Sequence, residues 1–336
     1  MMADKAHLQT DLKLEQMEKH LSAIYSVSYK KIQAKMLKFA KNIDGKASEL
    51  LKAIKEAETE AEQKTAKNAY LQYFKKEVVK SKAFKDLSKE IALDLFDTNS
   101  EASAFINSQT PEIYALNYNW INQQLSKDIP DFVSQQITPK EANEYGDLTK
   151  QTVSKSKDTK WNENNIKKSV IVGASLLLGA NAIMKRSAKL TIEKNRNSAS
   201  MHNSGMGTDA ENKARLDGMY WAEYLGNKME KVWSATLDNR TRHTHATLDG
   251  KSIPLNDVFD NGLERPRDPN GIPAEICNCR CSLKYNTIGG AKGKTRSSRR
   301  GIVTGSYKKS SSFKDTKSVE VENIPYEEFM KWRETQ

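Results

Sequence analysis

Trp233-Ser-Ala-Thr-Leu-Asp238-Asn-Arg240-Thr241-Arg242-His243-Thr244-His245-Ala-Thr-Leu248-Asp249-Gly250 crowds short apolar positions, charged pairs and a turn signal into one compact stretch. Asp249-Gly250 reads as a turn, because glycine takes positive φ at no steric cost. Downstream follow Ile253-Pro254, Asp257, Phe259, Pro266, Pro269 and a closing Asn278-Cys279-Arg280-Cys281. Four of the eight prolines fall between Pro254 and Pro273. This texture marks a small, loop-rich α+β module over residues 232–285. Asp238 with Arg240 and Arg242 is expected to cap that module internally through charge-assisted hydrogen bonds.

Upstream the texture is helical. Met17, Leu21, Ile24, Ile32, Met36, Phe39 and Ile43 recur mostly at three- and four-residue steps, the spacing of one helix face. The pattern predicts a helix over 8–43, a break at Gly45, and further helix over 47–76 and 84–95. The polar stretch Thr98–Ser108 reads as a loop or junction, with Pro111 opening a new helix. Thr138-Pro139-Lys140-Glu141 is a helix start, with a capping threonine, a first-turn proline and an acid beside the N-terminus. Residues 149–168 are polar and lysine-rich. Ser169–Met184 is the most apolar run and reads as one buried helix. It contains Asn181, is flanked by lysines, and falls short of the ~20 apolar residues of a membrane span. Residues 201–210 read as a small-residue linker before a helix from about Ala210 to Met229.

The expected fold class is therefore mainly α with a small α+β C-terminal module. It divides into helical regions 1–148 and 149–231, the module 232–285, a basic flexible linker 286–312, and a docking segment 313–336. Composition agrees: of 336 residues 37% are apolar and 29% charged, which suits long amphipathic helices better than one large globule. The first residues are polar and carry no secretory leader pattern. Cys277, Cys279 and Cys281 are odd in number and crowded, so they do not form a disulfide framework; synthesis in a reducing cytoplasm follows.

The net charge of +11 is uneven. Residues 286–312 hold Lys292, Lys294, Arg296, Arg299, Arg300, Lys308 and Lys309 and no acid. Such a segment suits salt-sensitive, sequence-independent contact with nucleic acid, though a solvated tail has the same composition.

The chemistry concentrates in His243 and His245 with the three cysteines. A His-x-His arm and a Cys-x-Cys arm, with His243, His245, Cys279 and Cys281 as donors, supply four ligands for one tetrahedral structural zinc. The metal would staple a module with little core of its own. The alternative is buried cysteines beside a hydrogen-bonded histidine. A Cys/His nucleophile reading lacks an evident oxyanion loop and a third orienting residue. No glycine-rich phosphate loop or repeated acidic metal site occurs elsewhere.

The ordered series Trp233, Asp238, Arg240, Arg242, His245, Asp249, Gly250, Asn278, Cys279, Arg280 and Cys281 resembles the phage Mu protein F-like, or head morphogenesis, family of minor capsid proteins. Matching residues cover about a sixth of the chain. One departure is that many relatives carry an Arg-Thr-Glu-like segment upstream, where this chain reads Leu190-Thr191-Ile192-Glu193 without the arginine. The family motif favours His245, Cys279 and Cys281 as metal ligands. The resemblance implies a non-enzymatic minor head protein inside the virion near the portal, made in the bacterial host cytoplasm. Its implied partners are the portal protein, the major capsid or scaffolding protein, and genomic DNA by non-specific contact. It implies a part in head assembly and in DNA retention or delivery. A membrane-active DNA-ejection protein is the alternative, and it rests on residues 169–184.

Overall fold

The computed structural model describes residues 4–145, 148, 153, 159–236 and 238–288, together with the backbone of two paired strands, Arg299–Ile302 and Ser318–Val321. The chain is mainly α, with long helices and a small antiparallel sheet toward its C-terminal end, as its sequence implies. In order come α1 (Lys5–Glu56), α2 (Glu60–Gln72) running into a π-helical turn (Tyr73–Val78), α3 (Lys82–Asp128), α4 (Pro139–Tyr145), α5 (Thr159–Ser175) and α6 (Ala180–Tyr224). Then follow β1 (Met229–Ser234), α7 (His243–Thr247), β2 (Ser252–Pro254), α8 (Pro273–Ile276), β3 (Ser282–Thr287), and the outer pair β4 (Arg299–Ile302) and β5 (Ser318–Val321).

The chain forms two compact units. One comprises Met1–Glu15, Ser108–Thr149 and Asn203–Gln336; the other comprises Gln16–Asn107 and Lys150–His202. In the second unit, α1 buries Met17, Leu21, Tyr25, Ile32, Met36, Phe39 and Ile43 at helical spacing. A buried polar chain crosses four helices there. Tyr25 Oη donates to Asn99 Oδ1 at 2.6 Å, Asn99 Nδ2 to Asn195 Oδ1 at 2.9 Å, and Asn195 Nδ2 to Asn162 Oδ1 at 2.9 Å. Groups this deeply buried need partners, so the chain of bonds fixes the helices' mutual register.

Several local expectations are overturned. Gly45 does not break α1, because the stripe Phe39, Ile43, Ala47 continues through it. The break comes instead before Thr59, which caps α2 reciprocally with Glu62; that Thr-x-x-Glu signal stands in the sequence. Thr98–Ser108 is not a loop, and Pro111 starts nothing: both lie inside α3. Thr98, Ser100 and Ser103 return their hydroxyls to carbonyls four residues back, and Ala102, Ile106 and Ile113 are buried to either side of the proline. Residues 201–210 are not a linker but part of α6, where Gly205 lies against the Arg267 guanidinium and Gly207 against the Leu14 side chain.

The apolar run Ser169–Met184 is also not one helix. It splits into the end of α5, a turn and the start of α6, with Leu177 at φ 53 and the Leu178 carbonyl accepting from Tyr70 Oη. Val172 and Leu176 are 48% and 52% exposed, so the run is only partly core. Among the described residues, no helix is long and apolar enough to cross a membrane. The start at Thr138 holds: α4 begins at Pro139, and Glu141 Oε2 accepts from the Thr138 backbone N–H at 2.7 Å.

In the first unit, β1 is the central strand of the order β2-β1-β3, all antiparallel, with Trp233 facing Leu283 and Lys231 facing both Ile253 and Tyr285. Met229, Lys231 and Trp233 point inward and the residues between them are half-buried, the period-two signature of a strand. The sheet has no core alone. Trp233, Phe259, Leu263 and Leu283 share one cluster with Ile121, Leu125 and Ile129 of α3 and with Leu216, Met219 and Ala222 of α6.

Candidate metal centre

The turn after β1 is built by the quoted stretch. Asp249 Oδ1 accepts from the Ala235 N–H at 2.9 Å, and Gly250, at φ 77, donates its N–H to the Trp233 carbonyl at 2.8 Å. Asp238 Oδ1 accepts from the Arg240 backbone N–H at 2.8 Å, while Oδ2 pairs with Arg280 Nη1 at 2.5 Å. The guanidinium that pairs with Asp238 is thus Arg280's, while the expected partner Arg240 contributes its backbone N–H and its charge. Those contacts outweigh the burial that would otherwise raise the carboxyl, and hold it below its usual range. Arg242 instead donates to the Cys277 carbonyl.

These bonds bring α7 against the segment entering β3. His245, on α7, and Cys279 and Cys281, flanking Arg280, are all buried, at 2%, 2% and 3% exposure. His245 Nδ1 lies 3.7 Å from Cys279 Sγ and 3.5 Å from Cys281 Sγ, and one donor atom from each residue fits within 4.8 Å of the others. Asn278 reverses the chain ahead of them at φ 57, a conformation asparagine tolerates better than most residues. From α6, Asn212 Nδ2 donates to the Cys281 carbonyl at 3.0 Å and its Oδ1 accepts from the Leu283 N–H at 2.6 Å. Nothing in the local motif marks Asn212, which lies far upstream.

The sulfurs are electrostatically unequal. A hydrogen bond from the Cys281 thiol draws Cys279 well below the usual thiol value, against the effect of burial, and His245 adds to the pull. The same bond, with burial, pushes Cys281 up; the Trp233 indole N–H partly opposes this by favouring its thiolate. That N–H is otherwise a buried donor without a conventional partner. Two convergent sulfurs and one imidazole nitrogen supply three of the four donors of a tetrahedral site for a thiophilic divalent metal. His243 opens α7 exposed to solvent and stands outside this cluster, as does Cys277, which is half-buried.

The structure also supplies the third, orienting residue that the nucleophile reading lacked in the sequence. Glu275 Oε2 lies 3.0 Å from His245 Nε2 and orients the ring. The cluster is nevertheless closed: Trp233 packs edge-on against the imidazole at 5.2 Å and 73°, and Phe259 against Trp233 at 5.0 Å and 77°. Both thiols converge on one imidazole nitrogen, an arrangement suited to ligation.

Of the basic residues, Lys292, Lys294, Arg296, Lys308 and Lys309 lie outside the described residues; Arg299 and Arg300 fall in β4, described by backbone alone.

Comparison with known proteins follows the same motif. Residues 163–284 match the family described as Phage Mu protein F like protein. The chain is 42% identical over 60 residues to minor head protein GP7 of Bacillus phage SPP1, covering 17% of this chain and 20% of that protein. It is 38% identical over 63 residues to the NAD(+)--arginine ADP-ribosyltransferase EFV of Enterococcus faecalis, covering 18% of this chain and 13% of that enzyme. The likeness therefore spans a fifth or less of either relative's length. No solved structure matches.

Proposed function

We propose that this chain is a minor head protein of a tailed bacteriophage, taken into the procapsid near the portal, where it assists head assembly and DNA retention or delivery. The match of residues 163–284 to the Phage Mu protein F like family carries this reading, and the likeness to GP7 supports it. The geometry agrees with a structural role. Trp233, Asp238, Asp249, Gly250 and Arg280 are used in packing, turns and ion pairing. A segment shared with 13% of an ADP-ribosyltransferase carries no activity across.

In this reading one zinc ion is held by His245, Cys279 and Cys281 and staples α7 to the strand entry at β3. Bound there, it supplies cross-linking and no reaction. The α3–α6 body meets portal, major capsid or scaffolding protein, and the lysines and arginines of 292–309 meet DNA phosphates.

Mass spectrometry of purified procapsids and mature heads tests the assignment: the chain is expected in both, in few copies. Its absence from both particles overturns the proposal. The DNA role is tested separately by binding to duplex DNA at low salt. Because β3 runs to Thr287 and Ile288 N–H bonds the Lys228 carbonyl, the deletion starts at residue 289 and ends at 312. Binding is expected to vanish in the deletion and to fall steeply with added salt; binding that survives the deletion removes the DNA-contact role.

A further inference from the structure

His245 has two ring nitrogens with different surroundings. Nδ1 faces both sulfurs, and Nε2 faces Glu275 Oε2 at 3.0 Å. The carboxylate is itself fixed from two other segments. Thr244 Oγ1 donates to Oε2 at 3.1 Å and to Oε1 at 3.3 Å, and Asn261 Nδ2 donates to Oε2 at 3.3 Å. A neutral imidazole carries one proton. With that proton on Nδ1, the Nε2 lone pair would oppose a carboxylate oxygen; with it on Nε2, the ring donates to Glu275 and turns its free lone pair toward the cysteines. The second arrangement is the one a metal needs.

We propose that Glu275 is the positioning residue of this centre, holding His245 in its metal-ready tautomer and thereby setting the affinity for a thiophilic divalent cation. This rests on the zinc reading above and adds a residue that is not among the ordered motif positions from Trp233 to Cys281. Glu275 sits on α8, a single turn opened by Pro273, whose fixed φ pre-organises it. Carboxylates in this outer position fix ring orientation and raise ligand basicity, and losing one weakens metal affinity about 10- to 100-fold.

The test uses the full chain as wild type, Glu275→Ala and Glu275→Gln. Zinc affinity is measured by competition with a chromophoric chelator, and cobalt(II) substitution reports thiolate coordination through its sulfur-to-metal charge-transfer band. Glu275→Ala is expected to bind zinc about 10- to 100-fold more weakly. Glu275→Gln falls between, because its amide oxygen still accepts from Nε2. The cobalt band at saturation stays at wild-type intensity in both, since the two thiolates remain; a merely structural loss would lower occupancy and band together. If Glu275→Ala does not fold, Glu275→Met, which fills the space but offers no oxygen acceptor, decides. Zinc affinity equal to wild type in the variant that lacks the acceptor overturns the positioning role alone. A wild type that takes up neither zinc nor cobalt overturns the metal reading, and this inference with it.

Discussion

Arg215 holds both carboxylate oxygens of Asp4, Nη1 to Oδ2 at 2.6 Å and Nη2 to Oδ1 at 3.0 Å, tying the residue that leads into α1 to α6 across 211 positions. The guanidinium is fully buried. It also donates to Asn117 Oδ1 and to the Leu283 carbonyl at 3.1 Å, pairs with Glu211 at 2.8 Å, and lies over the Trp120 ring at 4.6 Å. One residue thus links α3, α6 and β3 to the residue that leads into α1.

Removing one partner of a buried charge leaves the other uncompensated. Asp4→Asn is expected to cost about 3 kcal/mol in urea denaturation, at the lower end for such pairs because Glu211 and Asn117 remain. Burial alone would raise the Asp4 carboxyl, but Arg215 overrides it and holds the group well below the carboxylate range. Its contribution is therefore present above the unfolded value near 4 and lost as pH falls through the depressed folded value. The asparagine variant should lose less stability than wild type on acidification; equal losses would show that Asp4 is not the group titrating.

His7 works in the opposite sense. Burial disfavours its charge, but Glu211 Oε1 at 2.8 Å outweighs that and raises it from 6.5 to about 9. A raised histidine contributes fully below pH ~6.5 and its contribution disappears as pH rises through about 9. Between those limits wild type should lose on the order of 2 kcal/mol relative to His7→Gln, a value discounted because the ring is partly exposed. Parallel stability curves for the two proteins across that window would remove His7 as the cause.

Two glycines in long helices should respond oppositely to alanine. At Gly45, exposed in α1, an added Cβ meets nothing within 4 Å, so Gly45→Ala should stabilise by about 0.5–1 kcal/mol through helix propensity. At Gly218 the same Cβ would strike Ile121 Cγ2, which is fully buried in the core beneath β1. The propensity gain is smaller than overpacking there, and Gly218→Ala should cost about 1–3 kcal/mol. Thermal melts of both variants give the comparison; the same sign at both sites would contradict it.

These glycines show where the sequence was legible. Apolar spacing along α1 is local, so the helix itself could be read, but whether Gly45 interrupts it depends on packing to either side. Pro111 and the hydroxyls of Thr98, Ser100 and Ser103 look like breakers because their remedy, return bonds within α3 and buried neighbours, is visible only once folded. The small residues 201–210 mimic a linker for a related reason: their partners Leu14 and Arg267 lie far away in sequence. At the candidate metal centre, His245, Cys279 and Cys281 stand in an ordered motif and were legible. Glu275, Asn212 and the Arg280–Asp238 pairing were not, since each depends on where a separate segment lands.

Chelation gives the last prediction. Zinc at His245, Cys279 and Cys281 would close the chain between α7 and the entry to β3, a stretch otherwise held by turns and isolated hydrogen bonds. Without it, two buried thiols, which are weak hydrogen-bond donors, and an imidazole must satisfy one another at 3.5–3.7 Å. Hydrogen exchange on zinc-loaded protein and after EDTA should therefore differ locally. Amides of 243–249 and 279–283 should lose protection on chelation, while Tyr25, Asn99 and Asn195 and their helices keep theirs, because that buried polar chain lies wholly within the other compact unit. The melting temperature should fall together with that local loss. Protection and melting unchanged by EDTA would instead identify the cluster as packed thiols beside a histidine held by Glu275, with Trp233 and Phe259 supplying the core unaided.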